Sequence, residues 1–521
     1  MKIALIGNGL LANVGALYFK KKFPEAEVFI IGPTDRGGLP VVGESIIEIT
    51  SLFMENQLGL GDYFMKNHLP KYALTYYFKL NLDDPADRTY SVHCNEKGTD
   101  DTKPLPGWKG PMARPASWLL NREVFDRDII KMVNETKGIT RIVGTVSDFD
   151  LNSGKEHRLH VKEENGKEQD VLVNWAIDCT GRNQIFARKM NLVVKPEGQR
   201  DCFWFRVEGF DRNILKKINA LGPMPPAEGE PYHYDRYYST HHFLGKGFWI
   251  WMIPMKGENG KDLMSIGFTS HPDYCETDVR DMDSFLNYVG KVHPVVTELV
   301  KSGTIVDTNL LKRYHYVTSQ VYSADRWAII GDAAFAPDPL FSNGIAFGTI
   351  MLEQIAEMIK QDTNGKFNQE LVDSLTAAFV GPVLATQTAI SNWYKTMHDP
   401  YLNALRLNSI EIAYFYILLP LVANRAHFDP DMIGAWKVLQ MSPSESAFEI
   451  SKNLLEARKL IDKIKPEHFI YMGKNKVNSK ALKKVTSQKE LKDQMIEGSK
   501  ILDDYTKEVL NRINNLQLKS I

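Results

Sequence analysis

Cysteine is scarce and scattered: Cys94, Cys179, Cys202 and Cys275 are the only four in 521 residues. With no C-x-x-C pair and no close Cys/His cluster, they support neither a zinc site nor a disulfide framework, and they suit a reducing compartment. Net charge is almost absent, at −1, which argues against nucleic acid as a general partner. Long apolar runs are missing too. The longest, Ile412–Ala423, is too short to span a bilayer and contains Pro420. The N-terminal stretch Met1–Phe19 is apolar, but Gly7-Asn8-Gly9 interrupts it and Lys20-Lys21-Lys22 follows it, with no small-residue cleavage pattern. These absences predict a soluble, cytoplasmic protein with no membrane partner. Internal repeats and low-complexity tracts are also lacking.

What is present is the composition of a folded chain. Hydrophobic residues make up 43% and charged residues 24%, too apolar for disorder, and the length accommodates three or four domain-sized units. Charge is unevenly spread. Ser451–Ile521 carries 16 Lys/Arg against 9 Asp/Glu, leaving about −8 on the first 450 residues. That basic tail reads as a solvated amphipathic helix pair, with docking of an acidic carrier protein as the alternative.

Lys2–Ile6 is a short apolar run that ends in Gly7-Asn8-Gly9-Leu10-Leu11-Ala12. A helical stretch to Phe23 and a β-rich run, Glu27–Ile31, follow. Strand, glycine-rich turn, helix and strand in this order predict the first βαβ unit of a dinucleotide site. Gly7 permits the tight turn, Gly9 lets backbone amides approach a pyrophosphate, and Ala12 needs only to be small. The second strand ends Ile31-Gly32-Pro33, without an acidic residue to hold a ribose. Asn174–Gly181 predicts a strand ending in Asp178-Cys179-Thr180-Gly181. Trp327–Asp332 predicts a buried strand that runs through Ala333-Ala334 towards a long helix, Ile345–Lys360. Aromatic strand-like stretches lie between, at Cys202–Phe210 and Phe248–Ile253, and after Asp399 the chain turns helical.

The N-terminal motif, the central D-x-x-G strand end and the later Gly331-Asp332-Ala333-Ala334 together resemble the FAD-dependent aromatic hydroxylase fold. That resemblance implies that Asp332 approaches the ribityl chain and that the helix near Gly344 aims its positive end at the flavin pyrimidine ring. Reduced flavin is anionic, and unpaired N–H groups at a helix N-terminus stabilise negative charge. Arg122, in LLNREVFDRDI, matches the fold's cofactor-side arginine. Three further matches narrow the family. Trp249-Ile250-Trp251-Met252-Ile253-Pro254 fits W-x-W-x-I-P. Gly43-Glu44-Ser45 precedes a helix and then Lys71 in LPKYALTYYF, and Asp338-Pro339-Leu340-Phe341-Ser342-Asn343-Gly344-Ile345 is similar to D-P-x-x-S-x-G-[IV]. On these residues the chain, over roughly 1–395, resembles the flavin-dependent halogenases. Phe341 stands where tryptophan halogenases carry glutamate, as in the phenol and pyrrole classes, and Ala336 stands where the family often has phenylalanine, a change that loosens packing at the halide pocket; the likeness is to phenol-type rather than tryptophan-type members.

The implied fold is α/β. An FAD-binding Rossmann-like module (about 1–60, 110–185 and 300–365) is interleaved with a mostly antiparallel β substrate module (about 61–109 and 186–299), and a helical C-terminal region covers 396–521. The resemblance assigns FAD to Gly7, Gly9, Ala12, Ser45, Arg122, Asp332, Pro339 and Ile345. It assigns a chloride, bromide or iodide ion to the backbone amides of Asn343 and Gly344. Trp249, Trp251, Ile253 and Pro254 would line a passage that keeps the organic substrate from the flavin. Lys71 would receive hypohalous acid, polarising it or forming a haloamine, and deliver the halogen to a small electron-rich aromatic substrate. Lysine suits either role, because its ammonium donates hydrogen bonds and desolvation favours the neutral amine.

A phenolic substrate also calls for a base or hydrogen-bond acceptor near its hydroxyl, with Glu44 and His233 as candidates. His241-His242 has no third ligand at metal spacing, so no metal is expected. No second glycine-rich βαβ unit is visible for NAD(P)H, which implies a separate flavin reductase. Ile412–Ala423 reads either as a cover over the substrate cavity or as a packed core helix. Taken singly, the tryptophans read equally as core packing and Lys71 as a surface residue with an apolar stem. The alternative function is a flavin-dependent aromatic monooxygenase that hydroxylates directly. It would share the FAD motifs but need neither Lys71 nor the tryptophan pair. An isoprenoid-chain reductase of the same fold and a nucleotide-binding module without turnover are the remaining readings.

Overall fold

The computed structural model describes residues 1–34, 41–71, 73–79, 89–95, 117–152, 154, 156–195, 198–214, 236–258, 260–429, 432 and 487–519. The chain forms two compact units. One comprises Met1–Lys66, Leu120–Glu197 and His315–Leu384; the other comprises Asn67–Leu119, Gly198–Tyr314 and Ala385–Ile521.

The first unit is built on an eight-stranded sheet. Its centre is parallel: Trp327–Ile329, Trp175–Asp178, Lys2–Ile6, Glu27–Gly32 and Ile139–Asp150 run side by side. Tyr322–Ser323 closes one edge antiparallel, and His157–Glu163 with Glu168–Val173 extends the other. The central strands are nearly continuous apolar runs, because crossover helices cover both faces of a parallel sheet. Helix Leu10–Lys22 follows the first strand, with Ala12, Val14, Ala16 and Phe19 buried. Gly15 lets this helix sit close: a Cβ there would lie 2.7 Å from Leu5 and 2.8 Å from Leu352. Leu352 belongs to the long helix Asn343–Thr363, so one glycine packs strand and both helices together. A small antiparallel sheet of Val193–Val194, Tyr316–Thr318 and Phe335–Ala336 completes the unit's strands.

The second unit carries a seven-stranded sheet, antiparallel except where Ser239–Gly245 runs parallel to Ala73–Lys79. Side chains alternate between the faces of a strand, and the two faces here differ in chemistry. One face holds Tyr77, Phe203, Phe205, Phe243, Phe248, Ile250, Met252, Ile266 and Phe268, packed against Phe285 and Val289 of helix Met282–Val292 and Val296 and Leu299 of helix Pro294–Ser302. An Asp281/Ser284 capping box starts the first of these helices and Pro294 starts the second. Cross-strand register places Tyr76, His242, Trp251, Gly267 and Trp204 in one row on the opposite face. A separate two-stranded ladder pairs Leu69–Lys71 with Ser117–Leu119.

Towards the C-terminus, helix Pro400–Ala413 continues through a π-helical turn, Tyr414–Leu418, into Leu419–Ala423. The apolar run of the sequence therefore falls in this helical segment. Helix Gln488–Lys519 buries Leu491, Met495, Leu502 and Tyr505 on one side, an amphipathic spacing. At Gly498 a Cβ would collide with Tyr416, so the two segments cross tightly there. Residues 433–486, which include much of the basic tail, lie outside the described residues. Among the described residues no helix is long and apolar enough to cross a membrane. A Rossmann-like parallel sheet, a mostly antiparallel second sheet and a helical C-terminal segment make up the α/β architecture expected from the sequence.

Candidate active site

The glycine-rich turn in the first unit takes the conformation its residues suggest. Gly7 has φ +123°, and a Cβ on it would collide with the Cys179 carbonyl; its N–H donates to the Ile31 carbonyl at 2.7 Å. Gly9 precedes helix Leu10–Lys22 with no side-chain cap, and no atom of the described residues lies within 4 Å of where its Cβ would stand. Open space in front of uncapped amides is what a phosphate-bearing group requires. Two residues not singled out in the sequence, Arg141 and Asn13, hold this turn in place. Arg141 donates to the Asn8 side chain at 2.5 Å and to the Asn13 side chain at 2.7 Å, while Asn13 Nδ2 donates to the Gly9 carbonyl at 2.9 Å. Asp178 closes the neighbouring strand end, accepting from the Thr180 amide and hydroxyl at 2.9 and 2.6 Å and from the Phe186 amide at 2.9 Å. Burial raises its carboxyl, and these hydrogen bonds oppose the rise.

A second cluster in the same unit brings together segments far apart in the chain. Arg122 is buried, grips Asp126 with Nε and Nη2 at 2.8 and 2.9 Å, and donates from Nη1 to the Val42 carbonyl at 2.7 Å. Burial, the largest single effect, opposes its charge, but Asp126, Glu44 and Asp332 together outweigh it and keep the guanidinium protonated. Gly43, at φ +103°, passes so close that a Cβ would lie 2.7 Å from Arg122 Nη1 and 3.2 Å from Ile345 Cδ1. The Glu44 carbonyl accepts from the Leu120 amide at 2.6 Å, and the Ser342 hydroxyl donates to the Ser45 hydroxyl at 3.3 Å. The G-E-S loop is thereby tied to Arg122 on one side and to the D-P-L-F-S-N-G loop on the other.

In that second loop Asp338 is fully buried and caps the turn Pro339–Phe341 by accepting from the Leu340 amide at 3.1 Å. Ser342 is left-handed, at φ 53°, and offers no side-chain cap to helix Asn343–Thr363. The first amides of this helix, those of Asn343 and Gly344 among them, are available to an anion. Asn343 is buried, and its Oδ1 has no partner among the described residues, an acceptor that an N–H or O–H of a bound group would satisfy. Asp332 is accessible to solvent although its carboxyl is raised, by desolvation first, with Arg122 and Arg182 pulling it down. Its side chain is surrounded without being covered, as at the wall of a crevice. These residues fit an FAD and a halide chemically: glycine backbone for phosphates, buried arginine, and open helix amides.

In the second unit Lys71 is 0% exposed. It ends the strand Leu69–Lys71, opposite Ser117, which is equally buried. The reading of Lys71 as a surface residue does not hold. Its charge acts on His242, whose imidazole is lowered to about 3 by burial first, then by Lys71 and His241. His242 stacks on Tyr76 with centroids 4.6 Å apart, and a run of rings continues to Trp249 at 5.5 Å and on to Trp251 at 5.6 Å. Trp249 Nε1 donates to the Tyr394 hydroxyl at 2.9 Å, and Trp251 Nε1 to the Ser265 hydroxyl at 3.1 Å. The tryptophan pair thus belongs to the face turned away from the main apolar core. Ile253 is buried, and Pro254 falls just past the residues paired with Ser239–Gly245, where its missing N–H interrupts no bond on that side. His241 faces the other way and meets the Tyr77 hydroxyl at 2.9 Å through Nδ1. Adjacent residues on opposite faces of a strand cannot chelate one ion. His233 lies outside the described residues, as does Tyr72 beside Lys71.

No protein-family model matches the chain. The flavin-dependent halogenase chlA of Dictyostelium discoideum is 26% identical over 470 residues, which is 82% of this chain and 72% of that protein. The chain is a relative of the flavin-dependent halogenases. A second halogenase of that description, armH5 of Armillaria mellea, is 31% identical over 196 residues, 35% of this chain and 33% of that one. Among solved structures, halogenase PltM shares the fold with a TM-score of 0.68 at 14% identity, covering 95% of this chain and 96% of that chain. PltM has also been crystallised with phloroglucinol and FAD. The halogenase family, the fold and the flavin-dependent oxidoreductase class expected from the sequence are borne out.

Proposed function

We propose that this chain is an FAD- and O2-dependent halogenase that oxidises a halide to hypohalous acid and passes it through Lys71 to an electron-rich, phenol-like ring. FAD, when bound in its reduced form, would supply two electrons to O2, which takes its other two from the halide, giving hypohalous acid, water and oxidised FAD. Gly7, Gly9 and Ala12 hold the pyrophosphate, and Ser45, Arg122, Asp332, Pro339 and Ile345 border the rest of the cofactor. The Asn343 and Gly344 amides hold the halide. In this reading the first unit binds FAD and the second binds the organic substrate.

The observation that carries the reading is the complete burial of Lys71 within electrostatic reach of His242, which borders the tryptophan pair. Taking a lysine cation wholly out of water costs on the order of several kcal/mol, and such a residue is rarely kept for packing. Its Nζ–H donates to the hypohalous oxygen. The O–X bond then breaks as the ring carbon bonds the halogen, and the displaced hydroxide leaves as water with the ring proton. Trp249 and Trp251, with Ile253 and Pro254, exclude the organic ring from the flavin side, so that oxygen transfer does not compete. A separate reductase supplies reduced flavin, and the setting is the cytoplasm. The basic tail is a docking surface for a carrier only if the substrate arrives tethered.

The test supplies the protein with a flavin reductase, FAD, NADH, O2 and bromide or chloride, and offers phenols, pyrroles and indoles. A product with halogen isotope pairs supports the reading. A product that gains only oxygen makes the chain a direct aromatic monooxygenase and reduces the tryptophan strand to packing.

A further inference from the structure

The polar face of the second unit's sheet carries more hydrogen-bonding groups than the described residues satisfy. His242 Nδ1, Trp204 Nε1 and Thr269 Oγ1 are buried and have no partner among the described residues. Buried polar atoms are nearly always paired in folded proteins, by protein, water or ligand. Trp204 and His242 fall in one cross-strand row with Trp251 and Tyr76, and Thr269 is paired in register with Trp249. The orphaned groups therefore share the face of the tryptophan strand, while the opposite face is closed by the apolar core.

His242 is the member of this set with a defined chemical state and a defined orientation. Stacking on Tyr76 at 15° between ring planes fixes its plane, and Trp249 borders it. Burial and the nearby Lys71 keep its imidazole neutral at any pH near neutrality. A neutral imidazole has one nitrogen that donates and one that accepts. One so reluctant to become imidazolium accepts a hydrogen bond without taking the proton.

We propose that His242 is the substrate-orienting residue of this site: with its proton on Nε2, its Nδ1 accepts a hydrogen bond from a hydroxyl of a phenol-class ring and so sets which ring carbon faces Lys71. The inference rests on the halogenase reading above and names the acceptor that a phenolic substrate needs. Lys71 and His242, close enough for the one to depress the other's basicity, then form a donor for the hypohalous acid and an acceptor for the ring. Trapping of the hydroxyl as a neutral hydrogen bond leaves the ring's own electron richness to drive substitution.

The experiment compares phloroglucinol with 1,3,5-trimethoxybenzene, a ring of similar electron richness with no hydroxyl to donate. Full-length protein is supplied with reductase, FAD, NADH, O2 and bromide, and hypohalous acid is measured in parallel with the diffusible enol monochlorodimedone. His242→Phe is expected to lower kcat/KM for phloroglucinol about ten- to a hundredfold relative to the methyl ether, the range for a lost hydrogen bond to a substrate hydroxyl. His242→Asn, whose Oδ1 replaces the acceptor near Nδ1, is expected to recover most of that ratio, which repair of packing alone would not do. Equal losses on both rings, or no rescue by asparagine, would overturn the assignment of His242. A wild type that generates no hypohalous acid, or generates it and brominates neither ring, would instead overturn the halogenase or phenolic reading beneath it.

Discussion

The Trp251 indole lies across Gly267 and donates its Nε1–H to the Ser265 hydroxyl at 3.1 Å. Gly267 occupies the neighbouring strand in direct register with Trp251, and a Cβ on it would collide with the ring. A glycine in the middle of a buried strand is unfavourable by itself; here it clears the floor under the tryptophan.

Gly267→Ala is expected to destabilise the fold by about 1–3 kcal/mol, the usual cost of overpacking a buried site. Ser265→Ala removes only the hydrogen bond and is expected to cost about 1 kcal/mol. Urea unfolding of both variants checks the order; a Gly267→Ala protein as stable as the parent would show that the ring is not seated over that glycine.

At Gly43 the backbone is left-handed and the space beside it is taken by Arg122 and Ile345. Gly43→Ala must either change φ or push those side chains away, at roughly 1–3 kcal/mol. FAD titration followed by quenching of flavin fluorescence is expected to show affinity weakened by about tenfold or more. Unchanged affinity would separate the G-E-S loop from the cofactor.

Asp126 holds Arg122 with two hydrogen bonds, and Asp126→Asn keeps the shape but removes the charge. The guanidinium is left buried with the Val42 carbonyl and weaker partners. A loss of about 1–3 kcal/mol in stability is expected, together with weaker FAD binding. Denaturation with and without FAD distinguishes the two effects, since a ligand stabilises only to the extent that it binds.

Acid should weaken the protein earlier than its carboxylates alone would. His242 and His68 are both lowered from 6.5 to about 3, by burial first, with Lys71 and His241 adding to the effect on His242 and Lys256 to that on His68. Unfolded histidines bind protons as pH falls below 6.5, while these two in the folded state do not. Stability conferred by their neutral forms is complete above 6.5 and is lost as pH falls towards 3. Each contributes a slope of about 1.4 kcal/mol per pH unit within that window. Urea midpoints between pH 7 and 4 are expected to fall, and His242→Phe should flatten the slope. Identical slopes for the two proteins would mean that His242 is already protonated in the fold.

Much of this was legible in the sequence because the information is local. Lys2–Ile6, the Gly7–Gly9 turn, helix Leu10–Lys22 and Glu27–Gly32 each follow from residue type and spacing within about thirty positions. The W-x-W strand and the Asp338–Ile345 loop carried the family likeness for the same reason. What the sequence concealed depends on segments that meet only in the fold. Arg141 clamps Asn8 and Asn13 from 128 or more residues away. Gly43 and Arg122 meet across 78 intervening positions, and the positive φ and close packing explain the glycine. His242 was visible merely as half of a His-His pair beside aromatics. Strand alternation turns it to the Trp249 face and its neighbour His241 to Tyr77, and that separation gives it an identity. No signal in the sequence distinguished Lys71 from a solvated lysine beyond its distance from Gly43-Glu44-Ser45.

The measurement closest to the central claim is a comparison of wild type with Lys71→Ala and Lys71→Arg under reductase-supplied turnover, scoring free hypohalous acid and halogenated phenol separately. Both variants are expected to bind FAD still and to release hypohalous acid to a diffusible trap. Halogenated phenol should fall at least a hundredfold, about 2.7 kcal/mol of lost transition-state stabilisation. Arginine should fail to rescue, because it holds its proton and does not form a haloamine. Halogenated phenol formed at the wild-type rate by Lys71→Ala would leave Lys71 a buried residue without a part in the reaction.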